Sequence, residues 1–296
     1  MADVGFIGLG NMGGPMAANL AKAGHAVTAF DISADAAERA REAGCATVST
    51  VAEAAAGREV VITMLPAGAE VSEVYRGEGG VLSAAASGTL LIDCSTIDVD
   101  TARAVAATAA EGGWALLDSP VSGGVAGAAA GTLTFMVGGE AEAVERARAV
   151  LGDMGKAVIH AGASGAGQTA KVCNNLILAV SMIGVCEAFG MADRLGLERQ
   201  TLFDIVSKAT GQCWALTSYC PVPGPVPNAP SNRDYAPGFT AAMMLKDLRL
   251  AQSAAASAGA ASPLGAEAAA LYTLFCNAGF GADDFSGIMK MIGQGD

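Results

Sequence analysis

The sequence has few histidines and few basic residues, and each shortage excludes a class of protein. Only two histidines, His25 and His160, could serve as zinc ligands, and the seven cysteines form no C-x-x-C pair, so no metal site is predicted. Lys and Arg number 17 against 29 Asp and Glu, and no basic cluster offers a footprint for a polyanion. The net charge of −12 therefore argues against nucleic acid and anionic membrane surfaces as partners.

The chain also lacks features of export and of membrane insertion. Its first residues, MADVGFIGLG, contain no basic leader, and no apolar stretch reaches spanning length without Gly, Asn or a charge. The odd number of cysteines without framework spacing is typical of a reducing compartment. We expect a cytoplasmic protein, although a processed organellar protein would have the same features.

What the sequence does have is small apolar residues, with aromatics at only 5% and the hydrophobic set at 52% of 296 residues. This length suits two packed domains. In the first half, short apolar runs alternate with Ala-rich helical segments, a pattern that predicts a mostly parallel sheet covered on both faces. The predicted strands are residues 4–7, 26–30, 60–65, 90–94, 115–118, 133–137 and 158–160, and the helices between the earlier ones are 12–23, 34–43 and 100–111.

The second half is predicted to be mostly α-helical, with no convincing strand after His160. A long helix apolar on much of its circumference is predicted over 163–194, followed by helices at 198–208, 240–258, 265–278 and 284–292. Residues 219–238 carry six of the ten prolines, a density that forbids helix and central strand. This segment is either a polyproline ligand for a partner domain or, as we favour, a rigid loop that shapes a pocket.

The strongest local signal is the motif Gly8-Leu9-Gly10-Asn11-Met12-Gly13, which follows a predicted strand and opens a helix. Its glycines allow a tight turn, close approach of a pyrophosphate and close packing of helix on strand, in that order. The helix N-terminus offers N–H groups to the phosphates. The alternative is a glycine turn without a ligand.

Asp31 closes the second strand, 21 residues after Gly10. A carboxylate there can bind the adenosine ribose hydroxyls and would repel a 2′-phosphate. No Arg follows it directly, so NAD is predicted in preference to NADP. The alternative is a solvent-facing aspartate at a strand end.

Three further segments leave predicted strands where ligands of open α/β sheets bind. Two of them, residues 63–66 and 93–96, are predicted to line the cofactor site because they follow the glycine motif in order. We call these two segments the cofactor walls. The third, Asp118-Ser119-Pro120-Val121-Ser122-Gly123-Gly124, offers a hydroxyl and backbone amides that could bind a carboxylate. A glycine-rich loop without a ligand is equally consistent with the third segment.

Lys171 lies in the predicted long helix, and Asn174 and Asn175 follow one turn later on the same face. Apolar surroundings disfavour the charged form of a lysine, which would suit Lys171 to proton transfer. The alternative is a lysine whose stem lies on the surface while its head reaches water. The residues alone leave both interpretations open.

The segments GFIGLGNMG, DSPVSGG and GAGQTAKVCNN, followed by Lys246-Asp247-Leu248 at a helix start, occur in an order that resembles the 3-hydroxyisobutyrate dehydrogenases. These enzymes belong to the β-hydroxyacid dehydrogenase superfamily, and the likeness covers nearly the whole chain. The proline-rich stretch and the following MMLKDLRLA are also most similar to this family. Relatives acting on tartronate semialdehyde, succinic semialdehyde or 6-phosphogluconate are less similar there.

The resemblance implies a Rossmann-like NAD-binding domain over 1–162 and an all-helical substrate and oligomerisation domain over 163–296, with the active site in the cleft between them. It implies that Lys171 is the catalytic residue. The motifs and the resemblance together predict substrate contacts at Ser122, Gly123, Gly124, Asn174 and Asn175, and cofactor contacts at Gly8, Leu9, Gly10, Asn11, Met12, Gly13, Asp31, Leu65, Pro66, Thr96 and Lys246.

The implied activity is NAD-dependent oxidation of the small acid 3-hydroxyisobutyrate to methylmalonate semialdehyde, a step of valine catabolism, with Lys171 as acid or base. Two alternatives stay open: reduction of a related semialdehyde (tartronate or succinic), and NAD sensing without turnover. The long apolar helix and the resemblance also suggest a homodimer or homotetramer.

Overall fold

The chain forms two compact units, Met1–Lys171 and Val172–Asp296, and the structure, a computed structural model, describes residues 1–293. The first unit contains a nine-stranded sheet and the second is helical over its described residues. The fold class predicted from the sequence, a mostly parallel Rossmann-like domain followed by a helical region, is confirmed.

The sheet of the first unit is built around the apolar runs of the sequence. Its strands are β1 (Asp3–Ile7), β2 (Ala26–Phe30), β3 (Ala46–Thr47), β4 (Val60–Thr63), β5 (Leu90–Asp93), β6 (Ala115–Asp118), β7 (Val121–Ser122), β8 (Leu133–Gly138) and β9 (Gly155–Gly162). Every predicted strand is present, whereas β3 and β7, of two residues each, were not predicted.

Six strands pair in parallel in the order β3-β2-β1-β4-β5-β6, which is the order of the doubly wound dinucleotide-binding sheet. The chain runs outward from β1 in one direction through β2 and in the other through β4. Ligands of such sheets bind at this reversal, outside the carboxyl ends of the strands. The topology therefore brings the ends of β1, β2, β4 and β5 to one edge of the sheet.

Strand β7 continues β6 along the same antiparallel neighbour, β8. Asp118 pairs with Gly138, and Val121 and Ser122 pair with Phe135 and Thr134 in the same register. Pro120 separates the two pieces, but its carbonyl still accepts the Met136 N–H at 3.0 Å. The ladder thus carries Ser122 beyond the end of β6.

Alternate residues of the central strands enter two hydrophobic clusters, one on each face of the sheet. In β5, Leu90 and Ile92 belong to one cluster and Leu91 to the other, and all three are buried. This arrangement explains why the strands read as continuous apolar runs. The covering helices are α1 (Gly13–Lys22), α2 (Ala34–Glu42), α3 (Val51–Ala55), α4 (Gly68–Arg76), α5 (Val81–Ala84), α6 (Val99–Glu111), α7 (Gly124–Ala130) and α8 (Ala141–Gly152).

The long helix α9 (Ala166–Arg194) begins in the first unit and continues into the second. The later helices are α10 (Arg199–Val206), α11 (Trp214–Thr217), α12 (Ala241–Ala258), α13 (Pro263–Phe275) and α14 (Met289–Ile292). By length and composition alone α9 could cross a membrane, but the core helix of a soluble protein passes the same test.

Two predicted helices differ in detail from the observed ones. The helix predicted over 265–278 ends as α13 at Phe275 and passes into a π-turn, Cys276–Phe280, in which Gly279 adopts a positive φ of 98°. The helix predicted over 284–292 begins as a 3₁₀ turn, Phe285–Ile288, before α14. A left-handed residue cannot continue an α-helix, so Gly279 ends the helical stretch that begins with α13.

The proline-rich segment folds on itself within the second unit. The Tyr235 hydroxyl donates to the Pro221 carbonyl at 2.8 Å, and Ser231 Oγ donates to the Cys220 carbonyl at 2.8 Å. Its end is fixed by buried Asp284, whose carboxylate accepts the N–H of Gly238 at 2.9 Å. The segment is an ordered loop and not an extended polyproline ligand.

Candidate active site

The glycine motif at the end of β1 has the shape of a phosphate cradle. Gly8 turns the chain with a φ of 95°, and its N–H bonds the Phe30 carbonyl at 2.9 Å. A Cβ on Gly13 would collide with the Gly8 carbonyl, so α1 packs too closely on β1 for any side chain. A Cβ on Gly10 would meet no protein atom within 4 Å. Space is therefore left open in front of Gly10, and these residues fit a dinucleotide.

Asp31, at the end of β2, is fastened to the same motif. Its carboxylate accepts the N–H of Leu9 at 2.6 Å and the N–H of Ser33 at 2.8 Å. The carboxylate borders an open depression of about 500 Å³ that Ile32 and Arg41 also line. Asp31 is thus placed where a ribose could reach it, and it also holds the glycine motif in position.

The buried hydroxyl of Ser95 joins the segments that follow β4 and β5. Ser95 Oγ accepts the N–H of Leu65 at 2.8 Å and donates to the Asp93 carboxylate at 2.6 Å. The same Asp93 oxygen accepts from the Thr63 hydroxyl at 2.7 Å. Burial raises the pKa of Asp93, although these donors act in the opposite direction. Leu65, Pro66 and Thr96, the predicted cofactor contacts, therefore lie on neighbouring, cross-linked strand ends.

The start of α9 is held by Asp118 at the end of β6. Its carboxylate accepts the N–H of Gly165 at 2.7 Å and that of Gln168 at 2.9 Å. Burial raises the pKa of the Asp118 carboxyl, against the lowering effect of these amides. A carboxylate at a helix N-terminus pairs with unsatisfied amides and with the positive end of the helix dipole. Asp118 thereby fixes the start of the helix that carries Lys171.

The loop predicted to bind the substrate carboxylate has an unusual backbone and a buried hydroxyl at its start. Ser122 lies in β7, and Gly123 and Gly124 follow with φ values of 137° and 63°. This backbone alone favours glycine at both positions. Ser119 Oγ, at the entry to the loop, is buried and has no hydrogen-bond partner among the described residues.

Lys171 is only 7% exposed, on α9 at the end of the first unit. Asn174 and Asn175 lie one turn later on the same helix, within the second unit. The amide of Asn174 donates to the Asn175 side-chain oxygen at 2.9 Å, and Asn175 in turn donates to the carboxylate of Asp247. Lys246 is the neighbour of Asp247 on α12, in the second unit. Its contact with the cofactor stays a prediction.

Three residues that hold elements of the candidate site in place were not predicted from the sequence, namely Asp118, Gln168 and Asp247. All three are buried and all make hydrogen bonds to partners far away in sequence. Their signal was present, since each lies inside a quoted motif. Their partners could not be found from spacing.

Two family descriptions match the chain in succession. Residues 3–162 match "NAD binding domain of 6-phosphogluconate dehydrogenase", and residues 165–292 match "NAD-binding of NADP-dependent 3-hydroxyisobutyrate dehydrogenase". A relative from Mycobacterium tuberculosis, named "Probable 3-hydroxyisobutyrate dehydrogenase", is 53% identical over 293 residues, 99% of this chain and 98% of the relative. The chain belongs to the 3-hydroxyisobutyrate dehydrogenase family.

Two further comparisons bear on the chemistry of the family. A relative from Pseudomonas aeruginosa, named "NAD-dependent L-serine dehydrogenase", is 48% identical and covers 99% of this chain and 98% of its own. A solved structure of the Mycobacterium tuberculosis 3-hydroxyisobutyrate dehydrogenase with L-serine superposes with a TM-score of 0.95, at 52% identity and 99% coverage of both chains. The chain is accordingly an oxidoreductase of this family, and its cofactor is NAD.

Proposed function

We propose that this chain oxidises 3-hydroxyisobutyrate to methylmalonate semialdehyde with NAD, as a step in the breakdown of valine. The observation that carries the proposal is the placement of Lys171. This nearly buried lysine lies on a helix whose first turn is hydrogen-bonded to Asp118 at the end of β6 and to Ser95 just after β5, next to the predicted NAD site. The names of the relatives support the choice of substrate.

The carboxylate of the acid would bind the loop Ser122–Gly124, through the hydroxyl and the backbone amides. Lys171 would take the proton of the substrate hydroxyl as the carbinol carbon loses a hydride, and Asn174 and Asn175 would orient the substrate. NAD, when bound, supplies the hydride acceptor at its nicotinamide ring. The protein contributes position, charge and exclusion of water.

L-serine is the second candidate substrate, because a relative at 48% identity carries that activity in its name. Serine differs from 3-hydroxyisobutyrate only at C2, where an ammonium replaces a methyl group. The carboxylate site and Lys171 would serve both acids equally. Discrimination would therefore depend on whether an apolar or an acidic group faces C2.

Reduction of a related semialdehyde, tartronate or succinic, is the same chemistry in the opposite direction and would use the same residues. It differs from the proposed activity in its substrate and direction. A sensor that binds NAD without turnover is a different class. Such a protein needs the glycine motif and Asp31 but has no use for a buried lysine beside two amides. The retention of Lys171, Asn175 and Ser122 favours the enzyme.

The test is reduced-nicotinamide formation with NAD or NADP and a panel of 3-hydroxyisobutyrate, L-serine, 3-hydroxypropionate, glycerate, 4-hydroxybutyrate and 6-phosphogluconate. We expect the highest kcat/KM with 3-hydroxyisobutyrate and NAD. Lys171→Ala should lower kcat by at least about 100-fold, because a positioned acid–base group contributes 10²–10⁴-fold, while NADH still binds.

Lys290→Ala is the matched control, since Lys290 is a partly buried lysine that pairs with Asp283 at 2.9 Å in the second unit. It should keep the parental kcat. Near-parental turnover in Lys171→Ala would remove that lysine from the mechanism. NADH binding without turnover of any acid by the parent would favour the sensor.

We further propose that the chain forms a homodimer or homotetramer through α9. Exposed residues recur along one stripe of this helix, namely Ile177, Gly184 and Met191, seven residues apart, and Ile177 is 66% exposed. Such a stripe suits the facing helix of a second copy. A lipid-facing role is less favourable, because Glu187 on the same helix is exposed and would enter hydrocarbon. Light scattering of the purified protein should give twice or four times the mass of 29.3 kDa.

We also propose a soluble enzyme of the cytoplasm. All seven cysteines are unpaired in the fold, and unpaired cysteines are typical of reducing compartments. Fractionation of cells followed by immunoblotting tests this location, and recovery in a membrane or organelle fraction would contradict it.

A further inference from the structure

The side chain of Gln168 brackets Thr96, the predicted cofactor contact at the end of β5. Gln168 is fully buried. Its Nε2 donates to the Ser95 carbonyl at 2.7 Å, and its Oε1 accepts the Ile97 N–H at 3.2 Å. One amide thus pairs with the backbone immediately before and immediately after Thr96, as a neighbouring strand would.

The bracketed segment is linked onward to the other predicted cofactor wall. Ser95 Oγ accepts the N–H of Leu65 at 2.8 Å and donates to Asp93 at 2.6 Å. A continuous set of hydrogen bonds therefore runs from the exit of β4, through the exit of β5, to Gln168. It ends on α9 three residues before Lys171, which is one helical turn away.

The start of α9 is fixed independently by Asp118, which accepts the backbone N–H of Gln168 at 2.9 Å. Main chain and side chain of Gln168 are therefore both held, the former by the end of β6 and the latter by the exit of β5. These two attachments fix the rotation of this helical turn about the helix axis and its position along that axis. A shift of Thr96 toward or away from the turn of Lys171 would have to break a buried hydrogen bond, which is costly.

We propose that Gln168 is a positioning residue that sets the distance between the cofactor wall at Thr96 and the proton-transferring group of Lys171. The inference rests on the proposed function only for the role of Lys171. Both polar atoms of the buried Gln168 side chain are bonded to the Ser95–Ile97 backbone, so its effect would be transmitted through that backbone. Its loss should reduce the rate of the chemical step more than the binding of the acid.

The experiment uses the full-length chain with Gln168→Met and Gln168→Glu. Methionine keeps the length of the side chain and removes both hydrogen bonds, whereas glutamate keeps the acceptor for the Ile97 N–H and loses the donor to Ser95. Gln252→Met is the matched control, because Gln252 is a half-buried glutamine on α12 whose Nε2 donates to Ser262 at 3.1 Å. Readouts are kcat and KM well below the melting temperature, NADH affinity by fluorescence, and hydrogen exchange of the Ile97 amide.

We expect Gln168→Met to lower kcat by about 10- to 100-fold with KM for the acid within a few-fold, since a misplacement of about 1 Å costs about that much. NADH should bind more weakly, and the Ile97 amide should exchange faster. Gln168→Glu should keep the Ile97 amide protected yet still lower kcat. Gln252→Met should behave as the parent.

A Gln168→Met protein that melts earlier but keeps parental kcat and NADH affinity would overturn the proposal and leave a structural role only. If Gln168→Met does not fold, parental kcat and NADH affinity in Gln168→Glu would overturn it equally. The outcome is separable from the proposed function. Should the parent turn over no acid, NADH affinity and Ile97 exchange still decide whether Gln168 holds the cofactor wall.

Discussion

Asp31→Asn tests two roles of one carboxylate, the observed bonding of the backbone around the glycine motif and the predicted selection of NAD over NADP. Each oxygen of Asp31 accepts a different backbone N–H, from Leu9 at 2.6 Å and from Ser33 at 2.8 Å. Asparagine has one acceptor oxygen, so one of these N–H groups would face an amide nitrogen instead. The substitution therefore perturbs the glycine motif, and it also removes the charge that we predict to discriminate against a 2′-phosphate.

The magnitude follows from the number of bonds lost. A hydrogen bond to a charged group contributes about 1.5–3 kcal/mol, and Asp31 is half-exposed, so we expect a loss of about 1–2 kcal/mol in the free energy of unfolding. The ratio of kcat/KM for NAD over NADP should fall about 10-fold, which corresponds to about 1.4 kcal/mol. Denaturant unfolding followed by fluorescence measures the first quantity, and initial rates with each cofactor measure the second.

Asp35→Asn provides the comparison, because Asp35 is an exposed carboxylate in the first turn of α2. Its effect on stability should stay within about 0.5 kcal/mol, with an unchanged cofactor ratio. Parental stability in Asp31→Asn would show that its bonds to the glycine motif are not important. A parental cofactor ratio would show that Asp31 does not read the ribose.

Two other predictions concern the same edge of the sheet. Gly10→Ala should leave the melting temperature within about 2 °C of the parent while weakening NADH binding, because its Cβ meets no protein atom; Gly13→Ala should lower the melting temperature, because its Cβ meets the Gly8 carbonyl. Equal melting temperatures for the two variants would contradict this. Burial raises the pKa of Asp93, so the folded state keeps that proton to higher pH, and the associated stability is lost as pH rises from about 4. Asp93→Asn cannot ionise, so its free energy of unfolding relative to the parent should increase as pH rises above about 4 in paired unfolding curves; a pH-independent difference would refute the assignment.

The fold was largely predictable because both signals that specify it are local. Short apolar runs predicted seven strands, and alternation with Ala-rich segments predicted their parallel pairing. The missed strands illustrate the limit: β3 has two residues at an edge of the sheet, and β7 is separated from β6 by Pro120. What makes β7 a strand is its register against β8, which is a tertiary property.

The candidate site also contains residues that could be predicted from local sequence and residues that could not. The glycine motif and Asp31 were found from residue type and spacing, since their chemistry is fixed by neighbouring residues. Asp118 and Gln168 were missed because their partners lie 47 to 73 residues away. Only the fold shows that a strand end caps the helix of Lys171, and that a glutamine of this helix holds the next strand end.

The passage of α9 through both compact units has a consequence for dividing the polypeptide into fragments. A fragment cut at residue 162, where the sheet ends, would lose the N–H groups that donate to Asp118. It would also lose the Gln168 side chain, which is bonded to Ser95 and Ile97. It would expose a carboxylate and a peptide segment whose partners left with the severed helix. A dinucleotide-binding fragment that remains folded should therefore extend at least to residue 171, so that the first turns of the helix act as part of the sheet domain rather than as a linker.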